Sequence, residues 1–272
     1  VDREVTSIHN KYVQYVKSLS RRKVRQEEEK FVAEGVRFVE EALQSGWVME
    51  TVLYSSHLLQ SERGRDLLEK AAVKRVHMLR VSDDVMNKLS DTQTSQGVLA
   101  VVCQQLIDLD GLIGPAGRGN GGPFLCLALD GVQDPGNLGT LIRTTDAAGG
   151  DGLIVGPGTV DPFNPKTLRS TMGSVFALPV VRVDSLGDAL TRLKGAGVQV
   201  VVADVGAATA YFDADYAAAT VIVLGNEGAG VEPSVLEIAD KVVQIPLRGR
   251  AESLNVGVAG SLLLYEAVRQ RR

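Results

Sequence analysis

Histidine is scarce in this chain of 272 residues: there are three, His9, His57 and His77. With none beyond residue 77, the C-terminal part cannot build a serine–histidine nucleophile or a histidine-ligated zinc site from its own residues. Cysteine is scarcer still. Cys103 and Cys126 both sit in apolar runs and read as reduced core residues of a cytoplasmic protein, with no role in a disulfide or a metal site. No apolar run approaches the roughly 20 residues that span a bilayer. The opening VDREVTSIHN is polar and carries acids, unlike a signal or transit peptide. There is neither a GxSxG elbow nor a P-loop. Positive charge is not in excess either. The net charge is −4, which by itself disfavours a polyanion as partner.

Charge is unevenly distributed. Residues 1–104 hold 16 Lys and Arg against 15 Asp and Glu, whereas 105–272 hold 13 against 18. Lys17, Arg21, Arg22, Lys23 and Arg25 form a basic cluster, followed at once by Glu27, Glu28 and Glu29. Two readings stand: a solvated helix face of mixed charge, or an RNA-facing patch.

The stretch QLIDLDGLIGPAGRGNGG, 105–122, ends in Gly and Pro with no persistent period and marks a linker between two domains, 1–104 and 123–272. In the first, FVAEGVRFVEEALQSG carries a helical stripe of Val32, Val36, Val39 and Leu43 stopped by Gly46. Strand-like runs such as METVLYS and QGVLAVVCQ follow, so a small α/β domain is expected. The second domain alternates apolar strands (PFLCLALD, DGLIVG, LPVVRV, VQVVVADV, ATVIVLG, KVVQIPL) with helical segments, the pattern of a parallel sheet covered on both faces. Ligands of such sheets bind beyond the carboxyl ends of the strands, which directs attention to loops 131–137, 156–164, 225–232 and 247–253. Asn137 reads as the N-cap of a helix 138–148, Asn164–Pro165 as the start of another, and Ser253 as an N-cap before an apolar helix.

Three of these loops, taken with the helices that follow them, carry unusual residues. In GNEGAG, 225–230, a plain tight turn would not need Glu227, whereas glycines let a ligand approach the backbone with the carboxylate turned toward it. Arg143 falls off the buried stripe of its helix, on the side of Thr140 and Ala147, where it could grip an anionic oxygen. Asn255, a weak helix former just inside a helix start, points to a site.

Taken in order, NLGTLIR (137–143), LRSTMGSVFALP (168–179), LGNEGAGV (224–231) and IPLRGRAESLNV (245–256) resemble the SpoU, or TrmH-like, branch of the SPOUT RNA 2′-O-ribose methyltransferases. The likeness covers about 123–268. FVAEGVRFVEEAL (31–43) resembles, more loosely, the opening of the family's substrate-binding domain, a ribosomal-protein-type RNA-binding fold. The resemblance implies a C-terminal domain with a deep trefoil knot that holds S-adenosylmethionine. The donor would lie against Leu224, Gly225, Asn226, Gly228, Gly230, Ile245, Leu247, Ser253, Leu254 and Asn255. It also assigns Arg143, Asn137, Glu227, Ser253 and Asn255 to catalysis, with no metal. Arg143 would act as base or as stabiliser of the developing alkoxide. RNA would be gripped by the basic cluster with Arg143 and Arg169, or by Arg248 and Arg250. A homodimer through the C-terminal domain, ribosomal RNA ahead of transfer RNA as substrate, and no membrane complete the expectation. Gly257 departs from the pattern, since many members carry serine there. The alternatives are a transfer RNA methyltransferase, a non-catalytic RNA-binding protein of the same fold, and a nucleotide-dependent oxidoreductase, which lacks its early GxGxxG.

Overall fold

The computed structural model describes residues 4–114 and 122–272. It divides into two compact units, one of residues up to Gln105 with Phe163–Leu168, the other of Leu106–Pro162 with Arg169–Arg272. Among the described residues no helix is long and apolar enough to cross a membrane.

The first unit runs α1 (Lys11–Ser18), α2 (Arg22–Glu28), β1 (Lys30–Glu34), α3 (Val36–Ser45), β2 (Met49–Tyr54), α4 (Glu62–Val73), β3 (His77–Arg80), α5 (Asp83–Leu89) and β4 (Val98–Cys103). Its sheet has the order β1-β4-β2-β3, with β2 and β3 parallel and the pairs to β4 antiparallel. Val13, Val16, Leu19, Leu53, Val85, Leu99 and Val101 pack into one core. Two expectations need correction. The single helix expected over FVAEGVRFVEEALQSG is a strand and a helix: β1 buries alternate residues, and Gly35, at φ 93°, turns the chain where a side chain would be strained. Val32 therefore belongs to a strand. Arg25 is no part of an RNA-facing patch, being only 2% exposed. Its Nη1 donates to the carbonyls of Leu19 and Ser20 at 2.9 and 2.6 Å, satisfying the end of α1. Lys17, Arg21, Arg22 and Lys23 are exposed, and Lys23 reaches Glu27 at 3.7 Å.

The second unit runs α6 (Leu109–Ile113), β5 (Leu125–Leu129), α7 (Pro135–Ala147), β6 (Gly152–Val155), α8 (Pro165–Thr171), β7 (Val180–Arg182), α9 (Leu186–Gly195), β8 (Gln199–Ala203), β9 (Thr209–Ala210), β10 (Thr220–Leu224), α10 (Pro233–Ile238), β11 (Lys241–Gln244) and α11 (Val256–Gln270), although the contacts of Phe163–Leu168 group the first turn of α8 with the first unit. The sheet has seven strands in the order β7-β6-β5-β10-β8-β11-β9, and every pairing is parallel. Central strands β5 and β10 are buried at every position, because helices cover both faces. Of the segment 105–122, residues 109–113 form α6, whose Leu109 and Leu112 join this core, and 115–121 lie outside the described residues.

Two helix starts also differ from expectation. Asp134, not Asn137, caps α7: its side chain accepts from Asn137 N at 2.9 Å. The pair Asp134–Pro135 opens the helix earlier, since proline at the first turn needs no donor. Asn255, not Ser253, caps α11, its Oδ1 accepting from Val258 N at 3.2 Å.

Candidate functional site

Parallel pairing brings the carboxyl ends of β5, β8, β10 and β11 to one edge of the sheet. The loop after β10 is a closed turn. Asn226 and Gly230 exchange both backbone hydrogen bonds at 2.9 and 3.0 Å, while Asn226 Oδ1 accepts from Gly228 N and Ala229 N, each at 2.9 Å. Gly225 has to be glycine here, since a Cβ would stand 2.3 Å from the Gly230 carbonyl carbon. The other end of Asn226 ties this turn to the loop after β5, Nδ2 donating to Gly131 O at 2.7 Å.

Glu227 projects from the turn toward the start of α7. Its Oε1 accepts from Asn137 Nδ2 at 3.0 Å and its Oε2 from Gln133 N at 3.3 Å. Partial burial pushes the carboxyl upward, but the Asn137 bond and the backbone N–H groups around it outweigh this and hold it below its ordinary value. Asn137 Oδ1 in turn accepts from Asn255 Nδ2 at 2.8 Å. Capping α7 by Asp134 leaves the Asn137 side chain available for both partners. One chain of contacts, Asn255–Asn137–Glu227, thus joins the three loops.

Beside this chain lies a cavity of about 470 Å³. Leu224, Gly225, Asn226, Gly228, Gly230, Ile245, Leu247, Ser253 and Leu254 all line it. Asn255, expected among the donor contacts, is not part of the lining, which passes from Leu254 to Val256; its side chain holds Asn137 instead. Sequence reasoning missed Ala203, Asp204 and Val205, which follow β8 and also line the cavity, and Glu252. The signal was present: VQVVVADV ends a strand, and its carboxyl end lies beside those of its neighbours.

The lining suits a cationic ligand with an apolar portion. Leu224, Ile245, Leu247 and Leu254 offer apolar contact, the glycines expose backbone, and Asp204, Glu227 and Glu252 supply negative charge with no basic side chain among the lining residues. That is the chemistry of a sulfonium nucleoside such as S-adenosylmethionine.

Arg143 lies outside the lining. It is exposed on α7, on the face of Thr140 and Ala147, and its side chain has no hydrogen bond or ion pair among the described residues. Arg169 is exposed on α8, and Arg248 and Arg250 are exposed in the loop after β11. A shallow apolar groove of about 340 Å³ runs between Thr140 of α7 and Gly257, Val258, Ser261, Leu262 and Tyr265 of α11.

Comparison with known proteins agrees with this geometry. Residues 125–265 match the model of the SpoU rRNA Methylase family, and residues 10–100 match that of the MRM3-like substrate binding domain. The chain is similar to the 23S rRNA (guanosine(2553)-2′-O)-methyltransferase RlmP of Bacillus subtilis, at 37% identity over 97% of this chain and 98% of that protein. It is also similar to the 23S rRNA (uridine(2479)-2′-O)-methyltransferase of Streptomyces viridochromogenes, at 34% over 99% and 93%. Among solved structures, an AdoMet-bound rRNA methyltransferase from Sinorhizobium meliloti superposes with a TM-score of 0.87 at 35% identity, covering 98% of this chain and 97% of that one.

Proposed function

The chain belongs to the SpoU rRNA methylase family, and from that premise we propose that it transfers a methyl group from S-adenosylmethionine to a ribose 2′-hydroxyl of 23S ribosomal RNA in the cytoplasm. The observation that carries this reading is the Asn255–Asn137–Glu227 chain at the rim of the cavity. Ribosomal RNA is favoured over transfer RNA because the two relatives named for 23S rRNA align over 97% or more of this chain.

The donor supplies a methyl group already activated by positive sulfur, so positioning provides much of the rate. Leu224, Ile245, Leu247 and Leu254 would hold its apolar part. Glu227, kept ionised, and Asn137 fix the first turn of α7 against the glycine turn, and Asn255 fixes α11 against both. Arg143 would hold an RNA phosphate and stabilise the alkoxide developing on the attacking oxygen as its proton passes to water and the sulfur–methyl bond breaks. A guanidinium stays protonated, which favours this role over that of a base. Since Arg143 does not line the cavity, it would act on the RNA side of the reaction.

Exposed Val258, Leu262 and Tyr265 on α11 beside the apolar groove support a homodimer through this unit. Lys17, Arg21, Arg22 and Lys23 would supply sequence-independent attraction for RNA.

The test is incubation of the full chain with methyl-labelled S-adenosylmethionine and, separately, 23S ribosomal RNA and transfer RNA transcripts, with 2′-O-methyl positions mapped by resistance to alkaline cleavage. Label on one 23S ribose is expected. Label on a base, on transfer RNA alone, or on neither RNA overturns the reading.

A further inference from the structure

A second cavity, of about 530 Å³, lies in the first unit between Val36, His57, Gln60, Ser61, Thr94, Ser95 and Gln96. No lysine, arginine, aspartate or glutamate is among these residues, so the cavity is not built for phosphate. Instead it gathers amide, hydroxyl and imidazole groups, which are the donors and acceptors that read base edges.

The frame around it is fixed. Gln96 Oε1 accepts from Val36 N at 2.8 Å, so the loop before β4 caps the start of α3. Ser95 Oγ accepts from Gly97 N at 3.1 Å, and Ser55 N donates to Gly97 O at 2.9 Å. Gly97 has φ 77°, and a Cβ there would lie 2.7 Å from Leu58 N, so the loops around residues 58 and 97 meet at backbone distance. Glu34 at the end of β1 holds the same loop, accepting from Asp91 N at 3.0 Å and from Thr92 Oγ1 at 2.7 Å. Against this rigid frame the side chains of His57, Gln60 and Thr94 are exposed. Among the described residues they make no hydrogen bond, and Gln96 still has its Nε2 to give.

We propose that this cavity takes one unpaired nucleobase of the substrate RNA, with Gln60, Thr94 and Gln96 on its edge, His57 beside its ring and Val36 against its face. The inference rests on the reading that the chain acts on RNA. It separates two jobs within the first unit: the exposed cations of α1 and α2 attract the backbone, and the neutral cavity reads a base. A paired base cannot enter, because it stays stacked inside the helix and its major-groove edge lies in a groove too deep and narrow for side chains. An unstacked base in a loop or bulge can.

The experiment uses the full chain and 23S ribosomal RNA transcripts in which 4-thiouridine or 6-thioguanosine replaces the normal nucleotide. Irradiation should attach RNA to peptides containing His57–Ser61 or Thr94–Gln96. The double variant Gln60→Ala with Thr94→Ala leaves every framing hydrogen bond in place. Its affinity for the transcript should fall by about tenfold, with the slope against salt unchanged and S-adenosylmethionine affinity unchanged. Crosslinks confined to other peptides, or a double variant that binds the transcript as wild type does, overturns the assignment. Failure of the wild type to methylate any RNA would instead count against the functional reading, and the crosslinked peptides would still decide the cavity.

Discussion

Asn137 and Glu227, ninety residues apart, share a hydrogen bond in which Asn137 Nδ2 donates to Glu227 Oε1 at 3.0 Å. The same amide accepts from Asn255 through its other end, so only a side chain with a donor and an acceptor serves here. Asn137→Asp keeps the shape, removes the donor and sets two carboxylates against each other. Since Asp134 caps α7 independently, the variant should fold. Methyl transfer in single turnover should drop by about two orders of magnitude, the scale on which a misplaced active-site group acts. Adding Glu227→Gln, which can donate back, should recover part of the loss. An unimpaired single variant would detach the bond from function.

The pH dependence of that bond has a definite sign. The Glu227 carboxyl is lowered from its ordinary 4.5 in the folded protein. Its stabilising contribution is therefore complete above 4.5 and is lost as pH falls through the lowered folded value. The difference in melting temperature between wild type and Glu227→Gln should be constant from about pH 6 to 8 and shrink toward zero only in acid. A difference that titrates near neutrality would mean that the carboxyl is raised instead.

Arg143→Ala should reduce transfer by on the order of 10²–10³, the usual cost of removing one group that stabilises developing charge. Donor affinity by calorimetry should be unchanged, because Arg143 is not among the residues lining the cavity. Equal losses in both measurements would place Arg143 at the donor.

Two glycines in one turn should behave oppositely. Gly225→Ala forces a Cβ to 2.3 Å from the backbone of Gly230, whereas at Gly228 the nearest atom is Asn226 Oδ1 at 3.6 Å. The first should cost about 1–3 kcal/mol of stability by overpacking and weaken donor binding at least tenfold. Gly228→Ala should leave stability unchanged. Chemical denaturation and calorimetry on both variants settle the contrast.

Light scattering at low micromolar concentration should give a dimer for the wild type. Leu262→Glu puts a charge on the apolar face of α11 without entering the core, since Leu262 is exposed in the single chain. It should yield folded monomer. A wild type that is monomeric and fully active would remove the dimer from the proposal.

Much of this was legible in the residues. Apolar strands such as TVIVL announce themselves because a parallel sheet buries both faces, and the motif loops fall at strand ends as the topology requires. What was not legible has physical causes. KFVAE followed by Gly35 reads as the first turn of a helix because Val32 and Val36 happen to share a helical stripe. Only the paired register with β4 makes it a strand. Arg25 looks like its basic neighbours, yet six positions of chain reversal bring its guanidinium onto Leu19 O. Asn137 could have capped its helix, and the Asp134–Pro135 pair decided otherwise. Asp204 carries no motif, and its place beside the glycine turn follows from strand order alone.

The three-loop junction also bears on how the molecule comes into being. Its links span 90, 95 and 118 residues of chain, and the two made by Glu227 and Asn226 need β10 in place beside β5. Contacts so distant along the chain form slowly, after local helices have had time to appear. No fragment ending before β10 could possess the pocket, since Leu224 and the turn after it form part of its wall. A ligand that binds there recognises finished molecules and, by mass action, holds them finished.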